Sequence, residues 1–211
     1  MDKLFTGTIK FRETSFEKNK KLFESLDREQ APHTLFIGCS DSRVVPGLIT
    51  KTLPGELFVV RNIANIVPPY RISAEYASTT SAIEYAVNAL EVENIVVCGH
   101  SNCGGCAALY FEEQEIAQLP NVAHWLEQAQ SVKNEVLLKH PDADKAHREW
   151  ITEQLNIVKQ MSNLLSYPYI RKRYDEGKIN LYGWYYIIGT GEVYNFNLET
   201  GEFEVIADVE K

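Results

Sequence analysis

Residues 94–105 read NIVVCGHSNCGG. The first six form an uninterrupted β-branched, apolar run, the pattern of a strand buried on both faces. The run stops at a glycine. A histidine, a cysteine and two further glycines then follow within six positions. A second stretch has the same plan: TLFIG at 34–38 is a short apolar run that leads straight into Cys39-Ser40-Asp41-Ser42-Arg43. A third run, ELFVVRN at 56–62, follows the Pro54-Gly55 turn. Between the second and third strands in chain order, 73–90 (SAEYASTTSAIEYAVNAL) carries small and apolar residues at helical spacing, with Ser73 as its cap. Strands alternating with helices predict an α/β fold with a central, mainly parallel sheet flanked by helices.

Outward from this centre, residues 103–164 predict three helical pieces, with Pro120 and Pro141 between them and Pro168 beyond the last. Residues 181–206 alternate strand-like runs with glycine-containing turns, which predicts a strand joining the sheet and then a C-terminal antiparallel hairpin. The aromatic stretch GWYYII at 183–188 reads as core. Residues 4–30 are charged, with apolar positions at Leu4, Phe5, Ile9, Phe11, Phe16, Leu22, Phe23 and Leu26. The later part has helical spacing, so the region reads as an N-terminal helical arm whose aromatics need a surface, one that a partner subunit can supply. No repeat, linker or low-complexity segment divides the 211 residues, and a single domain over 1–211 is expected.

Composition narrows the function classes. The chain is 45% hydrophobic and 24% charged, with a formal net charge of −8. Apart from RKR at 171–173 there is no basic cluster, which disfavours nucleic acid and anionic membranes as partners. No run approaches the ~18 apolar residues of a membrane span. The first residues lack the apolar region of a secretory signal. Four cysteines without an export signal suit metal ligation or catalysis in a reducing cytoplasm better than a disulfide framework.

In parallel α/β sheets, ligands bind beyond the carboxyl ends of the strands. If the strands ending at Cys39 and His100 are neighbours, both side chains emerge at one edge, and Cys103 joins them from the first turn of the next helix. Two thiolates and an imidazole suit zinc in tetrahedral geometry, and three protein ligands leave a fourth position for water. Gly104 and Gly105 offer free amides at a helix start. Asp41 and Arg43, two residues apart, form a carboxylate held ionised by a guanidinium. Asp41 can accept a hydrogen bond from the zinc-bound water or take the fourth position itself in a closed state. Each of these residues alone is more simply a structural one, and Asp41–Arg43 alone is as easily a plain loop salt bridge. It is the combination that points to a metal. Cys98 and Cys106 read as core fillers, and His33, His124, His140 and His147 as surface residues.

At these residues the chain resembles the β-class carbonic anhydrases. The family carries Cys-x-Asp-x-Arg after one strand and His-x-x-Cys after another, here Cys39–Arg43 and His100–Cys103. PGELFVVRNIANIVPPY (54–70), SAIEYAV (81–87) and YGWYY (182–186) also match, and VVRNIANIVPPY leans toward the plant-type and cyanate-operon-like bacterial branch. The resemblance implies one Zn²⁺ per subunit on Cys39, His100 and Cys103, with Asp41 and Arg43 as the catalytic dyad. It implies reversible hydration of CO₂ to bicarbonate and a proton, by attack of zinc-bound hydroxide. It further implies a substrate pocket of Phe58, Ile63 and Tyr85, the Gly104 amide as a donor, and Gln30 reaching substrate across a dimer interface. Dimers, or tetramers and octamers built from them, are expected, with the N-terminal helix clasping the neighbour. One branch binds regulatory bicarbonate through a Trp, an Arg and a Tyr. Arg61 and Tyr186 match and Gly38 is permissive, but Phe36 stands in the Trp position, so no bicarbonate-locked state is expected. Two alternatives stay open on the sequence: hydrolysis of COS or CS₂ on the same zinc, and a non-catalytic zinc-stabilised module. A thiol redox role is weaker, because no CxxC pair accompanies the histidine.

Overall fold

The computed structural model describes residues 1–72 and 77–207. The strands are β1 (Thr34–Cys39), β2 (Leu57–Asn62), β3 (Asn94–His100), β4 (Asn180–Tyr186), β5 (Val193–Phe196) and β6 (Phe203–Val205). They form one sheet in the order β2-β1-β3-β4-β5-β6, with the first four parallel and the last two added antiparallel. The expected mixed sheet and terminal hairpin are therefore present. β1 and β3 are the inner pair of the four parallel strands because they are the most apolar segments: all of β1, and β3 after Asn94, are buried. In register, Gly38 stands opposite Cys98, so Cys39 and His100 leave the sheet at the same edge.

The helices are α1 (Asp2–Phe11), α2 (Lys20–Ser25), α3 (Pro46–Thr50), α4 (Ser78–Asn88), α5 (Gly104–Ala107), α6 (Glu113–Ile116), α7 (Pro120–Leu126), α8 (Gln130–Lys139), α9 (Lys145–Leu164) and α10 (Pro168–Asp175). The sequence overstated their continuity. Residues 104–116 break into α5, a 3₁₀ turn at Ala108–Tyr110 and α6. A second 3₁₀ turn at Glu127–Ala129 separates α7 from α8. Pro120 and Pro168 sit in the first turns of α7 and α10, where a missing N–H costs nothing. The Ser73 cap lies outside the described residues, and the helix expected over 73–90 is observed from Ser78.

One face of the sheet carries the main core. Leu35, Ile37, Ile95, Val97, Leu181 and Tyr185 pack against Ile83, Ala86 and Val87 of α4, Ile157, Met161 and Leu164 of α9, and Ile170 of α10. The approach of α9 is close enough to require two glycines. A Cβ on Gly99 would lie 2.7 Å from Ile157, and one on Gly183 would lie 2.5 Å from the Met161 sulfur. The opposite face holds a smaller cluster of Phe36, Val96 and Cys98, edged by Leu57, Trp184 and Tyr186. Around it Val59 and Tyr182 are exposed.

The N-terminal arm is helical from Asp2, contains a π-helical segment at Arg12–Phe16, and ends at Ser25 rather than Gln30. Thr14 and Asn19 donate from their side chains to the carbonyls of Lys10 and Ser15, competition with the backbone ladder that loosens a helix. Phe11, Phe16 and Phe23 pack on one another with centroids 5.2–6.4 Å apart, yet α1 buries no residue.

Candidate metal centre and active site

Cys39 ends β1, His100 ends β3, and Cys103 occupies the N-cap position of α5. The chain travels between the two loops through β2 and α4 and still returns them to one point. A ligand atom from each of the three residues lies within 4.8 Å of the others, and all three residues are buried. The two sulfurs are 3.9 Å apart. His100 is fully buried, and its Nδ1 lies 3.0 Å from the Ser101 carbonyl, so Nδ1 carries the proton and donates it there. That leaves the Nε2 lone pair facing the two thiols, with no hydrogen-bond partner among the described residues. A buried acceptor of this kind is costly unless something is there to receive its electrons. Two sulfurs and one oriented imidazole nitrogen fit Zn²⁺, and the Ser101 carbonyl is the outer partner that fixes a ligating histidine.

The thiols respond to burial without a cation. The Cys39 thiol is pushed up to about 12, first by its hydrogen bond with Cys103 and then by burial. The Cys103 thiol is pushed up as well, first by its contact with Cys106. A divalent cation among them reverses that sign and favours the thiolates. Cys106 is buried in the cluster with Ile66, Leu109 and Leu126, as expected of a core residue. Cys98 is fully buried beside Phe36 and Val96, as expected. The other four histidines are exposed.

Asp41 and Arg43 form a bidentate pair: Nε donates to Oδ1 at 2.9 Å and Nη2 to Oδ2 at 2.8 Å. The Arg43 amide also donates to Oδ1, and Nη2 reaches the Asn102 carbonyl of the other loop at 3.0 Å. The guanidinium holds the Asp41 carboxyl well below the usual carboxylate range. Oδ2 lies 3.9 Å from His100 Nε2, which places the carboxylate at the edge of the three-ligand cluster.

The expected pocket residues are placed less tightly. Phe58 and Tyr85 pack with centroids 6.0 Å apart, and Tyr85 is half exposed. Ile63 is exposed at the start of a turn that presses on Gly105, where a Cβ would lie 2.9 Å from the Ala64 nitrogen. Gly104 is exposed with open space around it. Gln30 is exposed in the stretch between α2 and β1, with no hydrogen bond to the dyad among the described residues. Phe36 packs edge-on against Trp184 with centroids 6.2 Å apart, and Arg61 donates to backbone carbonyls of the Cys39 loop.

Sequence reading missed a buried polar row on α9: Glu153, Asn156, Gln160 and Asn163. Glu153 Oε1 accepts the Cys103 amide at 2.7 Å and Oε2 accepts the Tyr185 hydroxyl at 2.6 Å. Burial pushes its carboxyl up, against the pull of those two donors. Asn156 donates to the Ala64 carbonyl, Gln160 accepts from the Val67 amide, and Asn163 donates to the Val67 carbonyl. The 3-4-3 spacing on an otherwise apolar helix face is the signal that could have revealed them.

Comparison with known proteins agrees with this geometry. The family profile described as carbonic anhydrase matches residues 34–193. A carbonic anhydrase of Helicobacter pylori (strain J99) is 44% identical, over 98% of this chain and 95% of that protein. The structure of the β-carbonic anhydrase CcaA superposes with a TM-score of 0.93 at 40% identity, covering 97% of this chain and 98% of the other. One of two tetrameric β-carbonic anhydrases from the ascomycete Sordaria macrospora gives a TM-score of 0.81 at 32% identity, covering 93% and 96%. With the sheet, the strand-end ligands and nearly the whole length in common, the chain belongs to the β-class carbonic anhydrases.

Proposed function

We propose that the chain catalyses the reversible hydration of CO₂ to bicarbonate and a proton, using one zinc ion per protomer on Cys39, His100 and Cys103. The observation that carries this reading is the unpartnered, fully buried His100 Nε2 facing two thiols beside an ionised Asp41. Zinc at these ligands would supply a nucleophile from water at neutral pH.

The chain's own residues supply the rest. Arg43 keeps Asp41 ionised and, with both carboxylate oxygens engaged, turned toward itself, which favours an open site over one closed by Asp41. From there Asp41 accepts a hydrogen bond from the attacking oxygen and fixes its orientation toward carbon. Phe58, Ile63 and Tyr85 form an apolar wall suited to an uncharged, non-polar gas. Gln30 and the Gly104 amide donate to the substrate oxygens as negative charge develops on them.

Gln30 acts across an interface between two copies, and the N-terminal arm clasps that second copy. The arm supports this by exposing Leu4, Phe5 and Ile9 while α1 buries nothing. A dimer, or a tetramer or octamer built from dimers, is the working assembly, and the Sordaria relatives are tetrameric. The cytoplasm is the working compartment. No helix among the described residues is long and apolar enough to cross a membrane.

Stopped-flow CO₂ hydration combined with metal analysis tests the reading. The purified protein should hold about one zinc per chain, and Cys39→Ser should lose zinc and hydration together. Full activity in a zinc-free Cys39→Ser protein would remove Cys39 from the mechanism.

A further inference from the structure

Arg61 stands on β2, an edge strand, opposite Gly38 of β1. Its guanidinium leaves its own strand and reaches the loop after β1. Nε donates to the Cys39 carbonyl at 3.0 Å, and Nη2 donates to the Asp41 carbonyl at 2.6 Å. One planar group thus bridges the backbone of a proposed metal ligand and that of the proposed orienting carboxylate. The Asp41 carbonyl also accepts the Val44 amide at 3.0 Å, so both its lone pairs are used. The intervening Ser40 amide donates to the Asn62 carbonyl at 2.9 Å, again on β2. Arg43 fixes the Asp41 side chain; nothing in that pair fixes where the Asp41 backbone stands relative to Cys39.

We propose that Arg61 is a positioning residue: its two-pronged bridge to the Cys39 and Asp41 carbonyls sets the Asp41–Arg43 pair at the correct offset from the three-ligand cluster. The role depends on fork geometry rather than charge, because a lysine carries its three donors on one nitrogen and lacks the rigid planar fork that spaces Nε and Nη2 onto two carbonyls. With Nε and Nη2 committed to the loop, the guanidinium acts as part of the active-site backbone. The inference rests on the CO₂ hydration reading, and its test separates the two.

The experiment compares zinc-loaded wild type, Arg61→Lys and Arg61→Gln. It measures CO₂ hydration, zinc content, and hydrogen exchange of the amides of residues 40–44. Both variants should bind zinc and lose about 10–100-fold in kcat/KM, the size seen when outer partners of a metal site are removed. The loss should fall on kcat, and exchange at 40–44 should speed up while exchange in β3 is unchanged. Arg61→Lys within about twofold of wild type in kcat/KM would overturn the inference, since charge alone would then suffice. So would lost activity that simply tracks lost zinc with unaltered exchange at 40–44. If Arg61→Gln fails to fold, the lysine variant decides. If zinc-loaded wild type lacks CO₂ hydration while exchange at 40–44 still responds to both substitutions, the function reading falls and the clamp stands.

Discussion

The two loops that meet at the cluster are held by opposite means. The loop at 39–43 is secured from the solvent side by two guanidiniums, with Arg43 46% exposed and Arg61 also exposed. The loop at 100–105 is secured from inside. Glu153, 3% exposed, accepts its Cys103 amide; Ser101 Oγ accepts the Ile188 amide; and Gly105 is pressed against Ala64. Bonds in water are weak individually and can rearrange, whereas bonds in the interior are expensive to break. One loop is therefore built to present an adjustable carboxylate, and the other to present a fixed histidine and thiol.

That contrast can be broken from either side. The largest stability effect should come from Glu153→Ala, which strands the Cys103 amide and the Tyr185 hydroxyl as buried donors without an acceptor. A loss of about 2–4 kcal/mol in urea unfolding is expected from two such groups. A loss below about 0.5 kcal/mol would mean that the second loop is not anchored by the interior. Next comes Gly105→Ala. Its new Cβ would meet the Ala64 backbone at 2.9 Å, where no flexible side chain can yield. Overpacking there should cost about 1–3 kcal/mol, read as a lowered Tm. The smallest stability effect should come from Arg43→Ala, a Tm change below that of Gly105→Ala, because an exposed guanidinium adds little to folding. Its effect on kcat/KM should nevertheless exceed that of Gly105→Ala. Reversal of that order in a stopped-flow comparison would erase the distinction between the loops.

The ligands of both loops were legible, and so was the carboxylate pair of the outer one. Cys39, His100 and Cys103 stand out in the sequence because each follows an apolar run that can only be a strand or the turn after it. Asp41 and Arg43 stand out because they share that loop. The parallel direction of the strands followed from their alternation with helical spacing; their order, β2-β1-β3, did not. The support of the second loop was hidden, for a physical reason. Glu153 lies in REWITEQ, whose charged and polar residues mask the 3-4-3 row that starts there. Only the fold shows that this side meets backbone carbonyls and amides of residues 64–67 and 103. The breaks in the arm and in 104–116 were hidden as well, because side-chain competition at Thr14 and Asn19 and a run of 3₁₀ geometry leave the hydrophobic period almost unchanged.

The tautomer of His100 has a consequence for the life of the protein rather than for its chemistry. With Nδ1 committed to Ser101, the ring cannot turn its lone pair toward water, and the thiols beside it are poor substitutes for a cation. Under the zinc reading, protein without metal carries this cost where β1 and β3 end side by side, and occupancy relieves it. Zinc supply would then act as a folding ligand: saturation at a hundred times the dissociation constant would add about 2.7 kcal/mol to stability. Chains without zinc would open more often at these two loops. Abundance in a zinc-poor cell would thus follow loading, and the pool that survives would be enriched in competent enzyme.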